Sequence, residues 1–248
     1  MKNIQTIILA GGLGKRMNNF NLPKVLIELK GQPLISYVLK TIVNSGIDPQ
    51  PVIVVGKMAD KVKETLGPEY QYIFQPEQLG TGHAVACTKE TLKDRAENIL
   101  VLYGDMPLIT AETIKNIATQ HLVEKAVITM ATVTVPDFND WRAGFYDFGR
   151  IIRDSQGELL EIVEKKDATP DQLAIKEVNP SYFCFEANWL WQNIDNLKND
   201  NLQKEYYLTD LISLALIQNK IVKTINIKAE EALGINDQKQ KEIIEKFL

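Results

Sequence analysis

The chain has 248 residues, 45% of them hydrophobic and 24% charged, with a formal net charge of −4. That length suits one large α/β domain or a core with a smaller lobe, and the mild negative charge excludes the basic stripe a nucleic-acid surface needs. No apolar run approaches the roughly 20 residues of a membrane span, and the opening MKNIQTIILAGG lacks the form of a signal peptide, so a cytoplasmic protein without a membrane partner is expected.

The first elements alternate short apolar runs with helical patterns. Ile4–Ala10 is a predicted strand that ends at a glycine loop. Leu34, Ile35, Val38, Leu39, Ile42 and Val43 mark one face of a helix, with Pro33 in its first turn and Gly46 as its stop. Strands are predicted at Val52–Val55, Tyr70–Phe74 and Ile99–Leu102, with helices near Ala59–Leu66 and from about His83. Near-continuous apolar strands fit a parallel sheet covered on both faces. This βαβ rhythm predicts an α/β fold with a doubly wound, mostly parallel sheet.

After Val133 the rhythm changes. Gly149–Arg153 and Leu159–Val163 flank Asp154-Ser155-Gln156-Gly157, a hairpin turn, and Tyr182–Glu186 is a further strand. A small antiparallel lobe over the mouth of the sheet is expected. Ile212–Ile217 falls in a helix, Ile221–Ile227 in a strand, and a short helix follows. The expected division is a first half over residues 1–133, a lobe over 134–227 and a last helix over 236–248. Cys87 and Cys184 are expected as buried free thiols, and two cysteines and two histidines far apart do not make a zinc site.

The glycine loop, Leu9-Ala10-Gly11-Gly12-Leu13-Gly14-Lys15-Arg16-Met17, sits where open α/β sheets bind ligands, beyond a strand's carboxyl end. Glycines let backbone N–H groups approach phosphate oxygens, and Lys15 and Arg16 add cations. It is not a Walker loop, because Arg16 stands where Ser or Thr is required and Leu9 where the first glycine should be. Nor is it a dinucleotide fingerprint, because Met17 replaces the third glycine and the second strand ends at Gly56 without a ribose-binding carboxylate.

The loop resembles the L-x-G-G-x-G-x-R-M signature of sugar-phosphate nucleotidyltransferases, and Leu22-Pro23-Lys24-Val25-Leu26 is similar to their second basic motif. Gln75-Pro76-Glu77-Gln78-Leu79-Gly80-Thr81-Gly82-His83-Ala84 resembles the nucleobase segment of bacterial UDP-N-acetylglucosamine pyrophosphorylases, and Leu102–Leu108 their strand-end carboxylate motif. Phe148-Gly149-Arg150-Ile151, Ile162–Ala168, Glu177-Val178-Asn179, Glu205–Asp210 and Gly234-Ile235-Asn236 follow in family order. Asn179-Pro180-Ser181 departs from the family's Asn-Thr-Gly, and residues 134–148 form a longer loop than usual.

The resemblance implies a Rossmann-like nucleotidyltransferase that takes UTP, a sugar 1-phosphate and magnesium. It implies catalytic Arg16 and Lys24. Leu9, Ala10, Gly11, Gly12, Gly14, Gln75, Gly80 and Thr81 would hold the nucleotide; Tyr103, Gly149, Glu164 and Asn179 would hold the sugar. Asp105 and Asn236 would hold the metal. A turn cap for Asp105, an N-cap of the last helix for Asn236 and a solvated strand-end charge for Glu164 are the plain alternatives. His83 is expected to orient or pack rather than catalyse, His121 to sit on an exposed helix end, and Trp189 and Trp191 to pack a helix. The family's bifunctional members continue into a left-handed β-helix; no hexapeptide repeat occurs in this sequence, so acetyltransferase activity is not expected. Oligomeric state is left open.

Overall fold

The structure, a computed structural model, describes residues 3–12 and 22–248. In chain order it holds β1 (Ile4–Ala10), a small hairpin of β2 (Glu28–Leu29) and β3 (Gln32–Pro33), α1 (Leu34–Ser45), β4 (Val52–Val55), α2 (Ala59–Leu66), β5 (Gln71–Phe74), α3 (Thr81–Ala86), α4 (Lys89–Leu92), β6 (Asn98–Tyr103), α5 (Ala111–Glu124) and β7 (Ile128–Thr134). There follow β8 (Gly149–Arg153), β9 (Leu159–Val163), α6 (Pro170–Leu173), β10 (Glu177–Asn179), β11 (Phe183–Glu186), α7 (Ala187–Asn193), α8 (Asp210–Ile217), β12 (Val222–Asn226) and α9 (Gln238–Glu245).

Strands β5, β4, β1 and β6 are parallel neighbours in that order. Their side chains alternate between two cores, as the strand period of two requires. Ile4, Ile8 and Ala10 face the core that α1 and α5 cover, whereas Ile7 and Leu9 face the core of α7 and α8. Burial on both faces is why Val52–Val55 is apolar throughout. Helix α1 buries Leu34, Ile35, Val38, Leu39 and Ile42; Pro33 stands at its N-cap, one place before the first turn, and Gly46 ends it with φ 67° in the left-handed region.

The second half grows out of the same sheet. β7 pairs with β11 near its start and with β10 near its end, both antiparallel. Between them the chain bends at Asn179-Pro180-Ser181, with Ser181 at φ +66°. β11 joins β6, while β10 joins the hairpin β8–β9. The sheet therefore forks: the antiparallel lobe is one prong, continuous with the sheet through β7, and the parallel strands are the other. Arg153 locks the lobe, donating to Glu177 of β10 at 2.7 and 2.8 Å and to Thr224 of β12 at 3.1 Å.

Two expectations, on His121 and Cys87, are corrected. His121 is 1% exposed; its ring nitrogens lie 3.1 Å from Thr129 Oγ1 and from Asn98 Oδ1. Cys87 is half-buried, while Cys184 is buried, and both are free. The 134–148 segment carries a 3-10 turn over Asp140–Asp147 that buries Phe145. Beneath it the fully buried Arg150 guanidinium stacks 4.9 Å from the Phe138 ring and 5.2 Å from that of Tyr146. Among the described residues no helix is long and apolar enough to cross a membrane.

Candidate functional site

A cleft opens beyond the carboxyl ends of β1, β5 and β6, where parallel strands place ligands. Leu9, Gly11, Gly12, Lys24, Gln75, Gly80, Thr81, Tyr103 and Asp105 all line it. Ala10 lies buried beneath its floor. Gly14 and Arg16 lie outside the described residues.

The glycines here are required by close approach. A Cβ on Gly56, at the end of β4, would stand 2.8 Å from Gly11 O and 2.6 Å from Gln78 Nε2. Gly80 has φ +106°, and a Cβ there would meet Tyr206 O at 2.6 Å. The 205–209 segment is stitched on from that side: Tyr206 N–H donates to Leu79 O at 2.7 Å, Gly82 N–H to Tyr206 O at 2.8 Å and Leu208 N–H to Thr81 Oγ1 at 3.1 Å.

Gln75 is 4% exposed and places its amide at the cleft wall. Its Nε2 donates to Gly80 O at 3.1 Å and lies 3.2 Å from His83 Nδ1. The Nε2 of Gln78 is buried and finds no acceptor among the described residues. An orphaned amide donor costs about 1–3 kcal/mol, so this atom is suited to an acceptor on a ligand.

The most telling arrangement joins residues far apart in sequence. Lys24 opens a 3-10 turn, and its N–H donates to Gly12 O at 3.3 Å. Gly104 N–H donates to Leu9 O at 3.1 Å, continuing the β1–β6 ladder and setting Asp105 at the cleft. Ile235 N–H donates to Asp105 O at 3.1 Å and so delivers Asn236. The Lys24 ammonium then donates to Asp105 Oδ2 and, at 2.6 Å, to Asn236 Oδ1. Two side-chain oxygens thus converge on one cation. Asp105 is bonded to Lys24 rather than capping a turn, and the N-cap of α9 is Asp237, not Asn236. Asn236 also lines a second pocket with Trp141, Phe145 and Gln240.

The residues assigned to a sugar gather at the fork. Asn179 is the cross-strand partner of Gly149, and a Cβ on Gly149 would stand 3.4 Å from Glu164 Oε1. Of the four, Tyr103 lines the cleft of Lys24, whereas Gly149, Glu164 and Asn179 do not; Glu164 lines a neighbouring one with Asp167, Tyr207 and Asp210. Asn179 Oδ1 accepts from Ser181 N–H at 2.8 Å, and its Nδ2 donates to Ser181 Oγ at 3.2 Å, holding the left-handed bend without a glycine. The Tyr103 hydroxyl lies beside the hydroxyls of Ser181 and Thr81, between the two prongs, and burial raises its pKa. Thr209 Oγ1 donates to Glu164 Oε1 at 3.1 Å. Burial, then the negative charges of Asp210 and Asp167, raise the Glu164 pKa; burial, then Asp167, pushes Asp210 to about 6.

Sequence reading missed Gln78 and Glu205 as cleft residues and Ser181 as a neighbour of Tyr103. Gln78 had a signal, its place in the Gln75–Ala84 segment; the contacts of Ser181 had none. Trp189 and Trp191 are buried in α7, as expected.

The MobA-like NTP transferase domain matches residues 6–200. The bifunctional protein GlmU of Acetivibrio thermocellus is 41% identical over 243 residues, 97% of this chain and 50% of its own length. Those of Geotalea daltonii and Staphylococcus saprophyticus are 40% and 41% identical, over 97% and 94% of the chain and 51% and 50% of their own. The chain thus spans about half the length of these relatives.

Proposed function

This chain belongs to the MobA-like NTP transferase family, and we propose that it transfers a uridylyl group from UTP to N-acetylglucosamine 1-phosphate, forming UDP-N-acetylglucosamine and pyrophosphate. The observation that carries this reading is the single cleft in which Gly11, Gly12 and Lys24 meet the amides of Gln75 and Gln78. The first group suits a phosphate chain, the second the polar edge of a base.

In this reading an oxygen of the sugar phosphate attacks the α-phosphorus of UTP in line. The new P–O bond forms as the bond to the β-phosphate oxygen breaks, and pyrophosphate leaves with the electron pair. No covalent nucleophile is needed; catalysis lies in alignment and charge neutralisation. Lys24 supplies a positive charge beside the α-phosphate, and Arg16 forks onto the leaving phosphates. Nucleotidyltransferases of this kind generally use a divalent metal, and the reading takes it to be magnesium. Asp105 and Asn236 suit such an ion, because their oxygens already converge on a cation and magnesium uses few protein ligands. Held there, the ion would neutralise charge on the phosphate oxygens. Tyr103, Gly149, Glu164 and Asn179 take the sugar in the forked half of the sheet. The reading places the reaction in the cytoplasm, where nucleoside triphosphates are available.

The test is a pyrophosphate-release assay with the four nucleoside triphosphates crossed with several sugar 1-phosphates. Release that requires UTP and N-acetylglucosamine 1-phosphate together supports the reading; release with another pair replaces it.

A further inference from the structure

We propose that His83 is a positioning residue that fixes which end of the Gln75 amide faces the cleft, and so sets the choice of uracil over cytosine; the inference rests on the uridylyl-transfer reading above. The observation behind it is a chain of contacts running from the cleft to the back of α3. Gln75 Nε2 lies 3.1 Å from Gly80 O and 3.2 Å from His83 Nδ1. His83 Nδ1 lies 3.0 Å from Glu77 O, and His83 Nε2 lies 3.9 Å from Cys87 Sγ.

A neutral imidazole carries one N–H, and its position decides the rest. With the proton on Nε2, that N–H points at the weak acceptor Cys87 Sγ. Nδ1 then accepts from Gln75, whose Nε2 spends its two hydrogens on Gly80 O and His83. With the proton on Nδ1, the ring donates to Glu77 O and opposes the Gln75 NH2 group, which favours an amide turned by half a rotation. The turned amide would set its oxygen against Gly80 O, two acceptors facing each other. Each state opposes one pair of acceptors, the amide oxygen to Gly80 O in the turned state and Nδ1 to Glu77 O in the unturned. The unturned amide is selected because it gives separate hydrogens to Gly80 O and His83 and leaves the Nε2–H for Cys87 Sγ, whereas the turned state shares one Nδ1–H between Glu77 O and the amide oxygen.

The consequence for the cleft is chemical. In the unturned state Gln75 Oε1 lies toward Gly11, where a Cβ would meet it at 3.0 Å. The buried Nε2 of Gln78, without an acceptor among the described residues, approaches the same glycine pair from the Gly56 side. One acceptor and one donor complement uracil, which presents N3–H beside a carbonyl. Turning Gln75 replaces the acceptor by a donor. Two donors complement cytosine, which presents the bare N3 beside its O2 carbonyl. His83 touches neither the base nor the phosphates in this arrangement and acts through Gln75.

The experiment measures kcat/KM for UTP and for CTP with wild type and with His83→Ala, His83→Asn and His83→Gln, each checked for an intact thermal unfolding transition. Removing one neutral hydrogen bond should lower the UTP-to-CTP ratio about 5- to 10-fold in His83→Ala. Asn sets an amide oxygen where Nδ1 stood and should restore most of the ratio; Gln, whose amide reaches the place of Nε2, should not. A purely structural loss would lower both nucleotides equally and leave the ratio untouched, which overturns the role given to His83. A wild type that does not prefer UTP defeats the uridylyl reading itself, and this inference with it.

Discussion

Lys24→Ala probes the centre of the site through binding as well as rate. It removes the ammonium that Asp105 and Asn236 share. The side chains of Lys24 and Asp105 are 13% and 17% exposed. An exposed ion pair contributes about 0–1 kcal/mol, while stripping one partner from a fully buried pair costs about 3–5 kcal/mol. A value between these, about 2 kcal/mol, lowers Tm by about 4–8 °C for a domain of this size in metal-free buffer. Magnesium should then narrow the gap between the two proteins. In wild type the ion competes with the ammonium for the same two oxygens; in the variant it does not. Each 1.4 kcal/mol of lost competition is about tenfold in affinity, so the magnesium dissociation constant from thermal-shift titration without nucleotide should fall about tenfold or more. Turnover falls by about 10²–10³ for loss of a preorganised charge. Magnesium binding that is unchanged or weaker in Lys24→Ala refutes the shared site.

Three further expectations stand beside this one. Asp105→Ala should reduce turnover strongly with a smaller change in UTP affinity measured without metal, and equal losses in both would remove Asp105 from the metal role. Arg16→Ala should cost about 10²–10³ in rate, and unchanged turnover would remove Arg16 from the leaving-phosphate role. Burial holds His121 neutral, lowering its pKa from 6.5 to about 4; the unfolded chain takes up a proton in that window and the folded chain does not. Stability is therefore full above pH 6.5 and falls by about 3 kcal/mol as pH drops toward 4. His121→Gln should flatten that slope in urea unfolding, and an unchanged slope would place the titration elsewhere.

The parallel half was legible because β4 and β6 are buried on both faces and so read as apolar runs; the strands Ile4–Ala10 and Val52–Val55 and the helix Ala59–Leu66 fall where the sequence put them. The fork was not legible. Pairing of β7 with β10, β11 and β12 depends on partners dozens of residues away, and no local period encodes it. The buried state of His121 was available in principle, since Ile114, Ile117, Ala118 and His121 share one helical face; treating histidine as a surface residue hid it. Lys24, Asp105 and Asn236 were each identified through motifs. That they meet at a single point, across 81 and 212 residues, is a product of the β1–β6 ladder and of the Ile235–Asp105 bond. The sugar side was the least legible, because Ser181 holds a left-handed backbone that its side chain does not announce.

The most direct test of the account is a comparison of kcat/KM for N-acetylglucosamine 1-phosphate and glucose 1-phosphate, each with UTP and magnesium. A pocket in which Glu164 and Asn179 pair with polar groups of the sugar leaves them unsatisfied by an analogue that lacks one, and such sites discriminate strongly. A large preference for N-acetylglucosamine 1-phosphate is the expected result. Parity, or a preference for glucose 1-phosphate, would contradict it.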